Sequence, residues 1–232
     1  MRRDRQLLLL DADDTLWENN VYFERAIERF YALAGATTPA AALAMRACIN
    51  REEHRVIADM GYGLASFEVA LRCAIQTFAP ERWSPAVESA IRALAAEIAA
   101  EPICFLPEVP ETVRYLARRH RLALLTKGDF AEQSRKVAAS GLGPLFERIA
   151  IVPEKDASVY RRQLLELAAP PETCWMIGNS PRSDINPALE AGLNAVFLPH
   201  PHTWVLEHDA LRPRPGRELL QLERISQLCQ YF

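Results

Sequence analysis

The chain has 232 residues, half of them hydrophobic and a quarter charged, with a formal net charge of −3. That length fits one large domain or a core domain carrying a smaller insertion, and the charge gives no electrostatic case for a nucleic-acid or anionic-membrane partner. No stretch approaches the roughly 18 apolar residues that span a bilayer. The five scattered cysteines lack any Cys-x-x-Cys spacing, which argues against a zinc site or disulfide framework and for a reduced, cytoplasmic protein.

The first predicted element is Leu7–Leu10, four leucines that fit a strand buried on both faces of a parallel sheet. Arg2, Arg3 and Arg5 precede it, but the run is too short and too quickly acidic for a signal peptide. It ends in Asp11, Asp13 and Asp14. Alone, these acids fit either a solvated turn or a ligand site at the carboxyl end of a strand, where open α/β sheets bind their ligands. Carboxylates this close favour a bound cation or a shared proton.

From Val21 to Glu101 the apolar residues keep helical spacing and no strand is evident. Thr37-Thr38-Pro39 and Ser84-Pro85 read as helix starts, an N-cap followed by proline, and Gly61-Tyr62-Gly63 reads as a loop. The pattern predicts an all-helical insertion over residues 21–101, placed to act as a lid. The core is then formed by residues 1–20 and 102–232.

Beyond the insertion, strands and helices alternate. Val109, Val113 and Leu116 recur at helical spacing, and Leu122–Thr126 reads as a strand. A helix over Phe130–Ser140 follows, with Asp129 as its cap and Gly141 as its stop. Ile149–Val152, Cys174–Ile177 and Ala195–Leu198 are further strands, separated by helices near 158–168 and 184–191. Pro199 to Pro215 is a proline- and histidine-rich loop, and Glu218 to Leu228 is predicted as a terminal amphipathic helix. Alternation of this kind implies right-handed βαβ units and a parallel sheet.

Each predicted strand end carries a polar group: Asp11 and Asp13, then Thr126 and Lys127, then Lys155, then Asn179, Ser180 and Asp184. The set suits a phosphoryl group bound to a divalent cation. One carboxylate can attack phosphorus, splitting a hard displacement into two easier ones, and a second can move the proton. A hydroxyl and an ammonium can hold the phosphoryl oxygens and spread the developing charge. Lys127 reads equally as a contact to phosphate or a substrate carboxylate and as a surface charge. Asp14 reads as a support of the turn. Arg51, His54 and Arg55 form a charged helix face that reads as solvated before it reads as a contact to a leaving group. His200, His202 and His208 read as loop residues before they read as a metal site.

These residues carry a resemblance. The runs Leu7-Leu-Leu-Leu-Asp11-Ala-Asp13-Asp-Thr15, Leu124-Leu-Thr126, Lys155 and Ile177-Gly-Asn179-Ser-Pro-Arg-Ser-Asp184 fall in the order of the four motifs of haloacid dehalogenase-superfamily phosphatases. The chain resembles a member with a helical cap after the first strand, over nearly its whole length. The resemblance implies an α/β fold, a Rossmann-like parallel sheet core with an inserted helical cap domain. It implies an Mg2+-dependent phosphatase with Asp11 as nucleophile, Asp13 as general acid and base, and Thr126 and Lys155 on the phosphoryl group. Magnesium would sit on Asp11, the Asp13 backbone carbonyl, Asn179 and Asp184. The position of Asn179 is usually aspartate, so weaker magnesium binding is expected. The partner would be a small phosphorylated substrate. A phosphomutase, a dehalogenase-type hydrolase and a catalytically weakened binding protein remain alternatives on the same fold. The motifs leave the choice of phosphate ester and the oligomeric state open.

Overall fold

The computed structural model describes residues 5–232, so Arg2 and Arg3 lie outside the described residues. The chain divides into two compact units, one running up to Asn19 and resuming at Ile103–Phe232, the other Asn20–Pro102.

The first unit begins with strand β1 (Leu7–Leu10), every residue of which is buried. The second unit then holds four helices, α1 (Asn20–Leu33), α2 (Pro39–Met60), α3 (Leu64–Phe78) and α4 (Pro85–Ala100). Thr38 caps α2 by accepting from the Ala41 amide, and Ser84 caps α4 by accepting from the Val87 amide, each followed by proline in the first turn. Phe30, Met45, Ile49, Leu71, Ile75 and Leu94 pack into the core of this bundle.

Back in the first unit come α5 (Val109–Ala117), β2 (Arg121–Lys127), α6 (Phe130–Ser140), β3 (Arg148–Val152), α7 (Ala157–Glu166), β4 (Cys174–Gly178), α8 (Asn186–Glu190), β5 (Asn194–Phe197), β6 (Leu219–Gln221) and α9 (Leu228–Tyr231). Among the described residues the six strands are all parallel, in the order β3-β2-β1-β4-β5-β6. The four leucines of β1 need no polar face because both faces are covered. Leu8 and Leu10 pack with Val113, Leu116, Trp175 and Leu228, whereas Leu7 and Leu9 pack with Tyr160, Leu164 and Met176.

Register fixes where the chemistry can be. Leu10 lies opposite Leu124 of β2 and Ile177 of β4, and the amide of Asp11 donates to the Ile177 carbonyl at 2.9 Å. The first residues beyond β1, the end of β2 and the end of β4 therefore share one edge of the sheet. The strand order reverses at β1 and β4, the point where open α/β sheets form their ligand crevice.

Two predicted elements differ. The terminal helix expected over Glu218 to Leu228 is instead the edge strand β6, a 3-10 turn at Ile225–Gln227 and the short α9. Leu220 and Leu219 pack on opposite sides of the sheet, a period of two that extends the edge of β5. Leu222, Ile225 and Leu228 do point into the core, and their helical spacing is what suggested a helix. The helix expected near 184–191 is preceded by a π-helical turn, Pro181–Ile185, which carries Asp184. Among the described residues no helix is long and apolar enough to cross a membrane.

Asp156 caps α7 by accepting from the amides of Ser158 and Val159, at 2.8 and 2.9 Å, directly after Lys155. Replacing Asp156 by Ala should cost ~0.5–2 kcal/mol of stability in urea unfolding, the usual worth of an N-cap.

Candidate active site

The carboxyl edge of the sheet gathers Asp11, Lys155 and Asp184 into one buried cluster. Lys155 donates through Nζ to Asp11 Oδ1 and, at 2.8 Å, to Asp184 Oδ1. Asp184 reaches this point because Gly178 has no side chain: a Cβ there would lie 2.2 Å from Asp184 Oδ2. The Ser180 amide donates to that same Oδ2 at 2.9 Å, closing the loop from β4 to the π-helical turn. On the other side of Asp11, Thr15 Oγ1 lies 3.1 Å from Oδ2 and 3.3 Å from Asn179 Oδ1, and the Asn179 amide nitrogen donates to Thr203.

Two carboxylates thus share one ammonium in a site shielded from water. Burial and the charge of Asp184 push the Asp11 carboxyl up to about 7, against the pull of Lys155. Burial works against the Lys155 ammonium, but Asp11 and Asp184 outweigh it and hold its pKa above the ordinary lysine value. With both carboxyls ionised, one negative charge is left over. Two carboxylates and the Asn179 amide oxygen form an all-oxygen donor set, and that surplus charge with hard oxygen donors fits a divalent cation such as magnesium.

Asp13, two residues on, faces a different group of partners. Its Oδ1 accepts from Trp17 Nε1 at 2.7 Å, and its Oδ2 accepts from Gln133 Nε2 at 2.8 Å and Lys136 Nζ at 2.7 Å. Burial pushes this carboxyl up, but the Lys136 ammonium together with Gln133 and Trp17 prevails and holds it below the usual carboxylate value. Thr126 is buried at the end of β2, with its hydroxyl 3.5 Å from Gln133 Oε1. Lys127 donates to Glu207 Oε1 at 2.5 Å, Ser183 Oγ at 2.8 Å and Glu154 Oε1 at 3.3 Å. Glu207 in turn accepts from Ser180 Oγ at 2.5 Å, tying Lys127 to the loop that carries Asp184. Asp14 has φ of 57°, the left-handed region, and its carboxylate accepts from the Asn19 amide at 2.9 Å. Potential ligand atoms of Asp14, Glu18 and His200 lie within 4.8 Å of one another.

The family model for haloacid dehalogenase-like hydrolases matches residues 6–192. The chain belongs to that family. This hydrolase is 32% identical to a phosphoserine phosphatase from Thermus thermophilus over 101 residues, which span 40% of this chain and 41% of that protein. A haloacid dehalogenase-like family hydrolase from Xanthomonas campestris shares its structure with a TM-score of 0.80 and 29% identity, covering 97% of this chain and 93% of that one. An L-2-haloacid dehalogenase from Xanthobacter autotrophicus shares the fold, with a TM-score of 0.64 and 16% identity over 97% of both chains.

Of the residues singled out in the sequence, Asp11, Lys155 and Asp184 are joined directly in this hydrolase, and Asn179 joins them through Thr15. Asp13 and Lys127 each turn to other partners. Sequence reasoning passed over Thr15, Gln133, Lys136 and Glu207. Gln133 and Lys136 stand three apart on α6, a spacing that aims both at one target, but polar pairs of that kind usually face water.

In the metal-free protein the raised Asp11 pKa has a definite sign. The folded state holds a proton that the unfolded chain, with an ordinary value of 3.8, has already lost. The stability contributed by that proton is complete below the unfolded value and is lost as pH rises through about 7. Asp11→Asn cannot ionise, so its melting temperature in chelator should fall less than that of the wild type between roughly pH 5 and 8. Thermal unfolding across that range measures the difference directly.

Proposed function

We propose that this hydrolase is an Mg2+-dependent phosphatase that cleaves a small phosphorylated metabolite through an aspartyl-phosphate on Asp11. The observation that carries the reading is the presence of two carboxylates, two residues apart, in opposite settings. Asp11 lies in the charged cluster with Lys155, and Asp13 is held in a separate polar pocket. A dehalogenase needs the first carboxylate but no second acid, so Asp13 favours phosphoryl transfer.

The residues that would hold magnesium are Asp11, the backbone carbonyl of Asp13, Asn179 and Asp184. When bound, the ion would neutralise charge so that the anionic ester and the anionic nucleophile can meet. The steps belong to the side chains. Asp13, kept ionised by Lys136 in the free protein, takes up a proton as the anionic ester binds beside it; an oxygen of Asp11 then attacks phosphorus and the ester oxygen departs with that proton. Asp13, now ionised, removes a proton from water, which attacks phosphorus and returns the Asp11 carboxylate with release of phosphate. Lys155 and the hydroxyl of Thr126 hold phosphoryl oxygens and offset the charge that develops on them. Lys127, engaged with Glu207, would act on the substrate only by leaving that pair.

The similarity to a phosphoserine phosphatase makes phosphorylated amino acids the first substrates to test. The five free cysteines fit a reducing, cytoplasmic setting, and a small phosphate ester rather than a nucleic acid or a membrane is the expected partner. Release of free phosphate, rather than an isomerised product, separates this reading from a phosphomutase.

The wild type should hydrolyse 4-nitrophenyl phosphate in the presence of Mg2+, and Asp11→Asn should lower kcat on the order of 10³-fold or more. Failure of the wild type on a broad panel of phosphate esters would favour the binding-protein reading. Asn179→Asp restores a negative charge beside Asp11 and should tighten magnesium binding several-fold in titration calorimetry. Equal affinity in the two proteins would remove Asn179 as the cause of weak binding.

A further inference from the structure

The two ends of the Asp13 carboxylate are loaded unequally. An ionised carboxylate offers about four lone-pair sites, two on each oxygen. Oδ2 accepts from both Gln133 Nε2 and Lys136 Nζ, so both of its sites are taken. Among the described residues Oδ1 accepts only from Trp17 Nε1, which leaves one site open there. The donors are themselves fixed. Trp17 is fully buried, its backbone bridged to Asp13 and Phe105. Gln133 and Lys136 lie on α6, which is capped at one end by Asp129 and stopped at the other by Gly141, with Val137 in the core. Lys136 also donates to Asn19 Oδ1 at 2.8 Å, so its ammonium is tied at two points.

Taken with the proposed phosphatase reaction, on which this inference rests, the asymmetry has a chemical use. A general acid and base must present its proton along one direction, and a carboxylate free to rotate would offer either oxygen at many angles. We propose that Lys136 is a positioning residue for Asp13. With Gln133 it occupies Oδ2, so that Asp13 gives its proton to the leaving oxygen, and later takes one from water, through the single open site on Oδ1. Lys136 does not touch the reacting atoms in this account; it acts only through Asp13.

The test compares kcat/KM for two esters on the full chain with Mg2+. The value for 4-nitrophenyl phosphate reports a phosphoryl transfer whose leaving group departs without a proton. The value for an alkyl ester such as O-phosphoserine or glycerol phosphate reports one whose leaving group needs it. Lys136→Met is expected to lower kcat/KM for the alkyl ester on the order of 10²-fold and for the aryl ester only a few-fold, and Lys136→Arg should restore most of the loss. Should the Met variant melt below the assay temperature, Lys136→Gln gives the same comparison. Equal losses on both esters, or no loss on either, would overturn the proposal. Asp13→Asn separates the two levels. If it shows the selective loss and Lys136→Met does not, the assignment of Lys136 fails while the phosphatase reading stands. If Asp13→Asn shows no selective loss, the acid role of Asp13 fails, and the proposal with it.

Discussion

Two buried carboxylates on one buried ammonium set the terms for the rest of the core unit. In the low dielectric of a protein interior, Asp11 and Asp184 repel each other strongly, and only Lys155 between them makes the arrangement tenable. The fold invests heavily in that contact. The register of β1 against β4 brings Asp11 beside the start of the Asn179–Asp184 loop, Gly178 gives Asp184 room, and the Asp156 cap sets the helix that begins just beyond Lys155. An arrangement that leaves one negative charge unbalanced whenever both carboxyls ionise is poor for stability alone. It is well suited to a site that meets an anionic ester together with a cation.

The sheet explains why so many distant residues can serve one place. β1 lies in its middle, flanked by β2 and β4, so residues that follow four neighbouring strands, β3, β2, β1 and β4, fall within reach of one another, Asp11 and Lys155 from 144 positions apart. Burial of β1 on both faces holds Asp11 from behind. Any slip of register would move leucines as well as the carboxylate, and the cores on both faces resist it.

What could be read from the sequence follows from how local each cause is. Leu7–Leu10 announces a doubly covered strand because no polar residue interrupts it, and Thr38 and Ser84 announce helices because capping is a matter of three or four residues. The terminal strand was illegible for the opposite reason. Leu219 to Leu228 holds apolar residues at both spacings, and only the open edge of β5 decides in favour of a strand. The same holds in the site. Asp11, Lys155 and Asp184 stand in spaced motifs, whereas Gln133, Lys136 and Glu207 are polar residues on a helix and in a loop. Their importance lies entirely in partners 120, 123 and 80 positions away.

The treatment of Asp11 and Asp13 is the most instructive contrast. They are identical side chains with one alanine between them, the first buried and the second partly exposed, and the surroundings drive them apart. Burial and a like charge raise the first, while an ammonium and two neutral donors lower the second. Separation of two carboxyl groups in this way is how a fold assigns them different tasks at one pH. Sequence supplies the pair, but the assignment comes from α6, which reaches over the end of β1 to claim Asp13 and leaves Asp11 to Lys155. That direction of separation suits the second step of the proposed reaction, in which an ionised Asp13 takes a proton from water, whereas the first step requires the bound cation and the anionic ester to reverse it. A chain with the same Asp-Ala-Asp but without Gln133 and Lys136 would keep the raised Asp11 and lose most of what holds Asp13 down.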